Sequence, residues 1–174
     1  GLSLWANAVK ALHYLGLGQA MRALALPETA GGIRTATGDL LMSTTNTQLA
    51  AKFGELSVMV HRAELHDLLR HALGQELYLG MECTAVTEEA QGVRVRFRNG
   101  AEALGDLVIG ADGLHSQVRA GLHGQQPPRY AGYMAWRGVV PFAHSRLQPG
   151  ETWGRGARFG QVPMQGGRVY WFAA

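Results

Sequence analysis

Cysteine is almost missing from this 174-residue chain, with Cys83 the single example. One thiol excludes an intrachain disulfide and a cysteine-built zinc cluster, and it makes a reducing, cytoplasmic setting the default expectation. Lysine is nearly as scarce, with only Lys10 and Lys52, so arginine carries most of the formal +3 charge. Arginine suits fixed contacts to carboxylate or phosphate, although a GC-rich genome explains the same bias equally well. No basic run interleaves with aromatics, which argues against nucleic-acid binding. No apolar stretch approaches a membrane span, and no signal-peptide pattern opens the chain. An initiator Met is also missing. The first residues enter a helical pattern almost at once and the last stop inside a strand-like run, so the chain reads as an excised portion of a longer protein.

What is present is a globular composition: 47% hydrophobic and 17% charged residues, enough apolar matter for a substantial core. Ala8, Leu12 and Leu15, flanked by Val9 and Ala11, recur at helical spacing, and a second short helix follows around Gln19–Leu24. The stretch GGIRTATGDLLMSTT reads as a hairpin turning at Thr37-Gly38-Asp39. Residues LSVMV begin a β run that becomes a helix with Leu65, Leu68, Leu69 and Ala72 on one face, stopped by Gly74. Val93, Val95 and Phe97 alternate with Arg94, Arg96 and Arg98, and Asn99-Gly100 is a strong hairpin signal. DLVIGADG predicts a short strand buried on both faces. After Pro127-Pro128 the chain turns β-rich and aromatic, which predicts an antiparallel layer beginning near Tyr130. The fold class expected is α/β.

Chemistry concentrates in GADGLHSQVR. A strand ending at Gly110 places the following turn at the carboxyl edge of a sheet, where α/β folds bind ligands. Gly113 permits a positive φ or close approach of a ligand, and a helix from about His115 to Leu122 offers backbone N–H groups to an anion. Ser116 caps that helix or donates to a ligand oxygen, and Arg119 lies one turn on. The alternative is a plain capped corner in which Asp112 caps the helix and pairs with Arg119. Arg62 stands where a strand hands over to a helix. A cation is unfavourable at a helix start, so an anionic partner is expected: Glu64, Asp67 or a ligand. His61, His66 and His71 lack the spacing of a zinc site and are read as ordinary surface or core residues, with no metal.

DLVIGADGLHSQVR resembles the Asp-Gly motif of the single-component FAD-dependent monooxygenases, the flavoprotein aromatic hydroxylases. VHRAELHDLLRHAL resembles their Arg-x-x-Leu helix, and GLSLWANAVKALHYLGL their opening helical segment. YAGYMAWRGVVP and FGQVPMQGGRVYWFAA are similar to substrate-domain strands of the salicylate-hydroxylase-like branch. The resemblance implies part of a Rossmann-like FAD-binding domain plus part of an antiparallel β-sheet substrate domain. Residues 1–128 would be the central part of a discontinuous FAD domain, with a hairpin insertion at about 31–52 placed to join the substrate sheet. Residues 129–174 would begin the substrate domain.

The same resemblance implies site roles. Arg62 would contact the FAD phosphate or ribityl region, and Cys83 would face the adenine through its backbone. Asp112 and Gly113, followed by Ser116 and Arg119, would border the groove for the FAD pyrophosphate and the nicotinamide, with Asp112 holding the turn rather than touching the flavin. Arg137, beside Trp136, would approach the substrate side of the isoalloxazine as the candidate catalytic residue, or else be an exposed strand arginine. Tyr133, Trp136, Trp153, Phe159, Tyr170 and Trp171 would cover an apolar ring or simply form sheet core.

The implied reaction uses NADH or NADPH to reduce FAD, takes up O2 as a flavin C4a-hydroperoxide, and hydroxylates or epoxidises an aromatic or other electron-rich small molecule. The family's glycine-rich turn and its later Gly-Asp segment are not in this sequence, so the fragment alone is expected to bind FAD weakly and to be inactive. A same-fold oxidase or reductase without oxygen insertion stays open, as does a non-enzymatic β-rich binding module. The partners expected are a small-molecule, aromatic substrate and O2, with a homodimer as one possible assembly.

Overall fold

The computed structural model describes residues 1–27 and 30–174. From the amino end, strand β1 (Leu2–Leu4) leads to helices α1 (Ala6–Tyr14) and α2 (Gly18–Leu24), then to strands β2 (Leu26–Pro27), β3 (Ala30–Thr35) and β4 (Leu40–Thr45). Helix α3 (Asn46–Phe53), strand β5 (Val58–Val60) and helix α4 (Arg62–Leu73) follow. The middle of the chain holds strands β6 (Cys83–Glu89), β7 (Gly92–Phe97) and β8 (Glu102–Gly105) and helix α5 (Gln117–His123). Strands β9 (Trp136–Pro141), β10 (Gly150–Trp153), β11 (Arg158–Met164) and β12 (Arg168–Ala173) complete it. Contacts divide the fold into two units, one of residues 1–73 with 133–174 and one of residues 74–132. The architecture is mixed α/β.

In the first unit, β5 is the centre of a three-stranded antiparallel sheet between β1 and β2. Its three residues are all apolar and at most 5% exposed, and burying each contributes about 1.5–3 kcal/mol. Val9 and Leu12 of α1, Met21 of α2 and Leu65 of α4 close over Val58 and Val60, with Leu68 and Leu69 packed at the margin. The helical face of α1 therefore runs through Val9 and Leu12. Leu15 falls beyond the helix end and is exposed, and Ala72 of α4 is exposed as well. The opening residues form a strand before any helix, because β5 offers an edge on which Leu2–Leu4 pair.

Helix α3 was not among the expected elements, yet its signals are local. The Thr45 hydroxyl accepts from the Gln48 N–H at 3.2 Å while the Gln48 side chain accepts from the Thr45 N–H at 3.0 Å, a capping box. Gly54 ends the helix. Asn46 is buried and bonds the backbone of buried Ser57 both ways, donating to its carbonyl at 2.7 Å and accepting from its N–H at 2.8 Å.

The same unit carries a six-stranded sheet in the order β4-β3-β10-β11-β12-β9. The β3–β4 hairpin turns where expected, with the Thr35 N–H donating to the Asp39 carbonyl at 2.9 Å. Four of its five pairings are antiparallel, including every pairing among β9–β12, the layer expected to be antiparallel, and the one parallel pairing joins β10 to β3 of the hairpin. Strands so far apart in sequence are free of the hairpin constraint that forces antiparallel pairing. A bidentate pair links α4 to β12 within this unit: Arg168 donates to Glu64 at 2.8 and 3.2 Å.

In the second unit, β6, β7 and β8 form an antiparallel meander that turns at Asn99-Gly100, where the Gly100 N–H donates to the Phe97 carbonyl at 3.0 Å. The alternating arginines share one face with acids: Arg94 bridges Glu89 and Glu102, Arg96 meets Glu102 at 2.9 Å, and Arg98 meets Glu82 at 2.6 Å. DLVIG is a correction. It forms no strand, and Leu107 and Ile109 are 77% and 83% exposed. An apolar run becomes a strand only where a neighbouring edge pairs with it, and among the described residues none does. The helix after it starts at Gln117, two residues later than expected. No helix of the described residues is long and apolar enough to cross a membrane.

Asn46→Ala strands a buried backbone donor and a buried acceptor on Ser57, and the expected loss is about 2–4 kcal/mol. Urea unfolding of the variant beside the parent chain measures it, and an unchanged midpoint would remove Asn46 from the framework.

Candidate functional site

The candidate residues lie in both units. In the second, the chain leaves Gly110 and turns through Asp112 and Gly113, whose φ of +79° is open to glycine without strain. Gly110 itself approaches Val118 so closely that a Cβ there would fall 2.7 Å from the valine Cβ, which fixes the turn against α5. Asp112 then closes the corner. One carboxylate oxygen accepts from the Ser116 hydroxyl at 2.5 Å, and the other accepts from the N–H groups of Gln117 at 2.6 Å and Val118 at 3.4 Å. The Ser116 oxygen accepts in turn from the Arg119 N–H at 3.0 Å, as the N-cap of α5. The donors at the start of α5 are thus taken by the chain's own carboxylate and hydroxyl. Arg119 does not pair with Asp112. Its guanidinium donates to the Leu114 carbonyl at 2.5 Å.

Two consequences follow for titration. The Ser116 hydroxyl, helped by the backbone donors, holds the Asp112 carboxyl below its ordinary value. Cys83, at the start of β6, moves the other way: burial raises its thiol and the Asp112 charge raises it further, against a smaller lowering from the Ala85 backbone. Cys83 is therefore a protonated thiol at neutral pH, without the depressed pKa of a reactive one.

In the first unit, Arg62 opens α4 directly after buried β5, and Arg137 lies on β9. Both are exposed, and among the described residues neither guanidinium has a hydrogen-bond or ion-pair partner. The two acids nearest in sequence to Arg62 are engaged elsewhere, Glu64 with Arg168 and Asp67 with Arg70 at 3.5 Å. The Arg168 guanidinium holds the Glu64 carboxyl below its ordinary value.

The first unit also contains a cavity of about 340 Å³ between the β1–β5 pair and the six-stranded sheet. Trp5, Ile33, Met42, Met59, Tyr170 and Phe172 dominate its wall. None of the seven residues singled out in the sequence lines it. Of the six aromatic residues expected to cover a ring, only Tyr170 does. Phe159 and Trp171 stack on each other with centroids 6.3 Å apart, and Tyr133 and Trp136 are exposed. Phe172 was legible through strand period two, since it shares a face with Tyr170 on β12. Trp5, Met42 and Met59 carried no local signal, because strands distant in sequence bring them together.

The Asp112 corner predicts a pH response. A carboxyl whose folded pKa is depressed supports the fold above its unfolded value of 3.8 and loses that support as pH falls through the folded value. Backbone amides of Gln117 and Val118 should stay protected from neutral pH down to the ordinary carboxylate range and exchange faster below it. Asp112→Ala should raise their exchange at neutral pH by about fivefold, the size of a lost helix cap. Hydrogen exchange read by NMR checks both, and unaltered rates in the variant would refute the assignment.

Comparison with known proteins adds the lineage. The family model described as FAD binding domain matches residues 2–152. Aurachin C monooxygenase/isomerase of Stigmatella aurantiaca is 38% identical over 176 residues, covering 99% of this chain and 46% of that protein. The FAD-dependent urate hydroxylase of Klebsiella pneumoniae is 37% identical over 184 residues, covering 98% of this chain and 46% of that protein. The crystal structure of Klebsiella pneumoniae HpxO complexed with FAD and uric acid superposes with a TM-score of 0.89 at 33% identity, over 99% of this chain and 46% of that one. The chain thus spans about half the length of the curated relatives it matches. With a family match over most of its length and relatives 37–38% identical over 98–99% of it, the chain belongs to the FAD binding domain family.

Proposed function

We propose that the protein carrying this chain is an FAD-dependent monooxygenase that uses NADH or NADPH and O2 to hydroxylate or epoxidise an aromatic or other electron-rich small molecule. The observation that carries this reading is the match to proteins named as hydroxylases and monooxygenases, at 37–38% identity over 98–99% of the chain. FAD held by these residues would supply the redox chemistry, hydride acceptance and oxygen activation. The task of this chain is to hold that group, to orient a substrate and to keep water away.

The residues present suit the cofactor. Arg62 is a cation at a helix start without an acidic partner, a position that favours a phosphate. Arg137 adds a second unpaired positive charge in the same unit and is assigned to the substrate side of the flavin ring. In the other unit, the Asp112–Ser116 pair keeps the Gly113 turn in one shape, with Arg119 tied to it through Leu114. The Asp112 role is positional, since its oxygens are engaged within the turn. Cys83 contributes its backbone beside the adenine, and its protonated thiol adds no charge there. The apolar cavity walled by the sheet suits a small aromatic substrate. A cytoplasmic setting and a homodimer fit the reading equally.

The test uses the full-length protein. Substrate-dependent NAD(P)H oxidation under oxygen-18 gas should yield a product carrying the label. Cofactor oxidation with no label in the product would make it an oxidase or reductase, and a failure to bind FAD would leave a binding module. Arg62→Ala should weaken FAD binding by about tenfold, the loss of one charge-assisted contact, as read by flavin fluorescence titration.

A further inference from the structure

Gly138 of β9 and Gly160 of β11 are strand glycines that make room for an aromatic ring rather than for an unusual backbone. Neither has a positive φ, so the main chain at both accepts a side chain. A Cβ at Gly160 would fall 2.0 Å from Cε1 and 2.3 Å from Cζ of Phe172, and one at Gly138 would fall 2.7 Å from the Trp171 indole nitrogen. Phe172 sits opposite Gly160 across the β11–β12 pair, and its ring lies over the glycine. The Arg158 guanidinium, 3.8 Å from the Glu151 carboxylate, stands over the same ring, 5.6 Å from its centroid. Tyr170 is the next ring along, with centroids 6.1 Å apart and planes tilted by 33°. Phe172 and Tyr170 both line the cavity of about 340 Å³, whereas Trp171, on the other face of β12, does not.

We propose that Gly160 sets the size of ring this cavity admits, by letting Phe172 lie down as its floor. Substrate binding in the cavity rests on the monooxygenase reading, while the control of its depth rests on the glycine and the ring alone. With glycine at position 160, the space above the lowered ring takes a fused two-ring compound. A side chain there turns Phe172 to another staggered rotamer. The ring then rises into the space it had floored, and room is left for a single ring. Gly160 is thus a positioning residue, since it acts on a ligand only through Phe172.

The test uses the full-length protein supplied with FAD, titrated calorimetrically with phenol and 2-naphthol as one-ring and two-ring probes. Gly160→Ala should weaken 2-naphthol binding by about tenfold and leave phenol within about twofold, the size of an overpacking clash that only the longer probe meets. In a Phe172→Ala background the same glycine substitution should fold and be silent, because no ring is left to displace. That comparison decides the matter even where Gly160→Ala alone does not fold. Gly138→Ala, a matched clash on the opposite face, should leave the ratio of the two affinities unchanged. Equal loss of both probes, unchanged 2-naphthol binding, a loss or a folding failure that persists without the Phe172 ring, or the same selective loss from Gly138→Ala overturns the proposal. So does a parent protein that does not bind 2-naphthol. Flavin fluorescence and oxygen-18 labelling read the monooxygenase assignment separately. Ring selection through Gly160 in a protein that binds no FAD overturns that assignment alone, and labelled product with no effect of Gly160→Ala overturns the ring selection alone.

Discussion

Strands β3 and β10 run side by side because Gly150 has no side chain. Its φ is +126°, and a Cβ there would fall 2.1 Å from the carbonyl oxygen of Gly32, a separation that no L-residue with a side chain tolerates. That close approach starts the parallel register in which Glu151 faces Ile33, Thr152 faces Arg34 and Trp153 faces Thr35. The hairpin of residues 30–45 is thereby joined to the strands at the end of the chain, and one sheet of six strands results. The cavity depends on the same seam, since Gly31, Gly32, Ile33, Gly150 and Glu151 all contribute to its wall. Without the seam the hairpin would present two unpaired edges, and the apolar residues of β4 and β12 would share no enclosed space.

Charge is distributed with equal economy. Most arginines are occupied: Arg94, Arg96 and Arg98 on the meander, Arg168 with Glu64, Arg119 with a backbone carbonyl. Exposed pairs of this kind add little stability individually, but they neutralise carboxylates that would otherwise compete for the remaining cations. Among the described residues Arg62 and Arg137, like Arg129 and Arg155, have no such partner, and the acids beside Arg62 are already engaged. In the other unit the logic is inverted, and the acid of the Gly110–Gly113 turn is consumed by its own helix. The turn is a rigid, self-capped corner, and any ligand bordering it meets a shape rather than a row of open donors.

Much of this was legible residue by residue. The alternation of Val93, Arg94, Val95, Arg96 and Phe97 with Asn99-Gly100 after it reads as a hairpin strand, because period two and a two-residue turn are local properties. Thr37-Gly38-Asp39 marks the turn of the β3–β4 hairpin for the same reason. The capping box at Thr45 and Gln48 was equally local and announces α3 to a reader who looks for it. The run from Leu107 to Gly110 shows the limit. Its apolar pattern states that burial would be favourable, but a strand also requires a partner edge, which no local pattern encodes.

The amino-acid sequence by itself determined the family, the alternating strands, the helix faces around Leu12 and Leu65, and the identity of the turn that Asp112 closes. These follow from short-range spacing and from motifs whose residues lie within about a dozen positions of one another. Only the tertiary structure decided that β3 pairs parallel with β10, that Arg62 lacks an acidic partner while Glu64 has one, and which side chains enclose the cavity. The reason is physical: these outcomes depend on which distant edges and side chains come within hydrogen-bond or van der Waals reach. Trp5, Met42, Met59 and Phe172 become neighbours only when the sheets close.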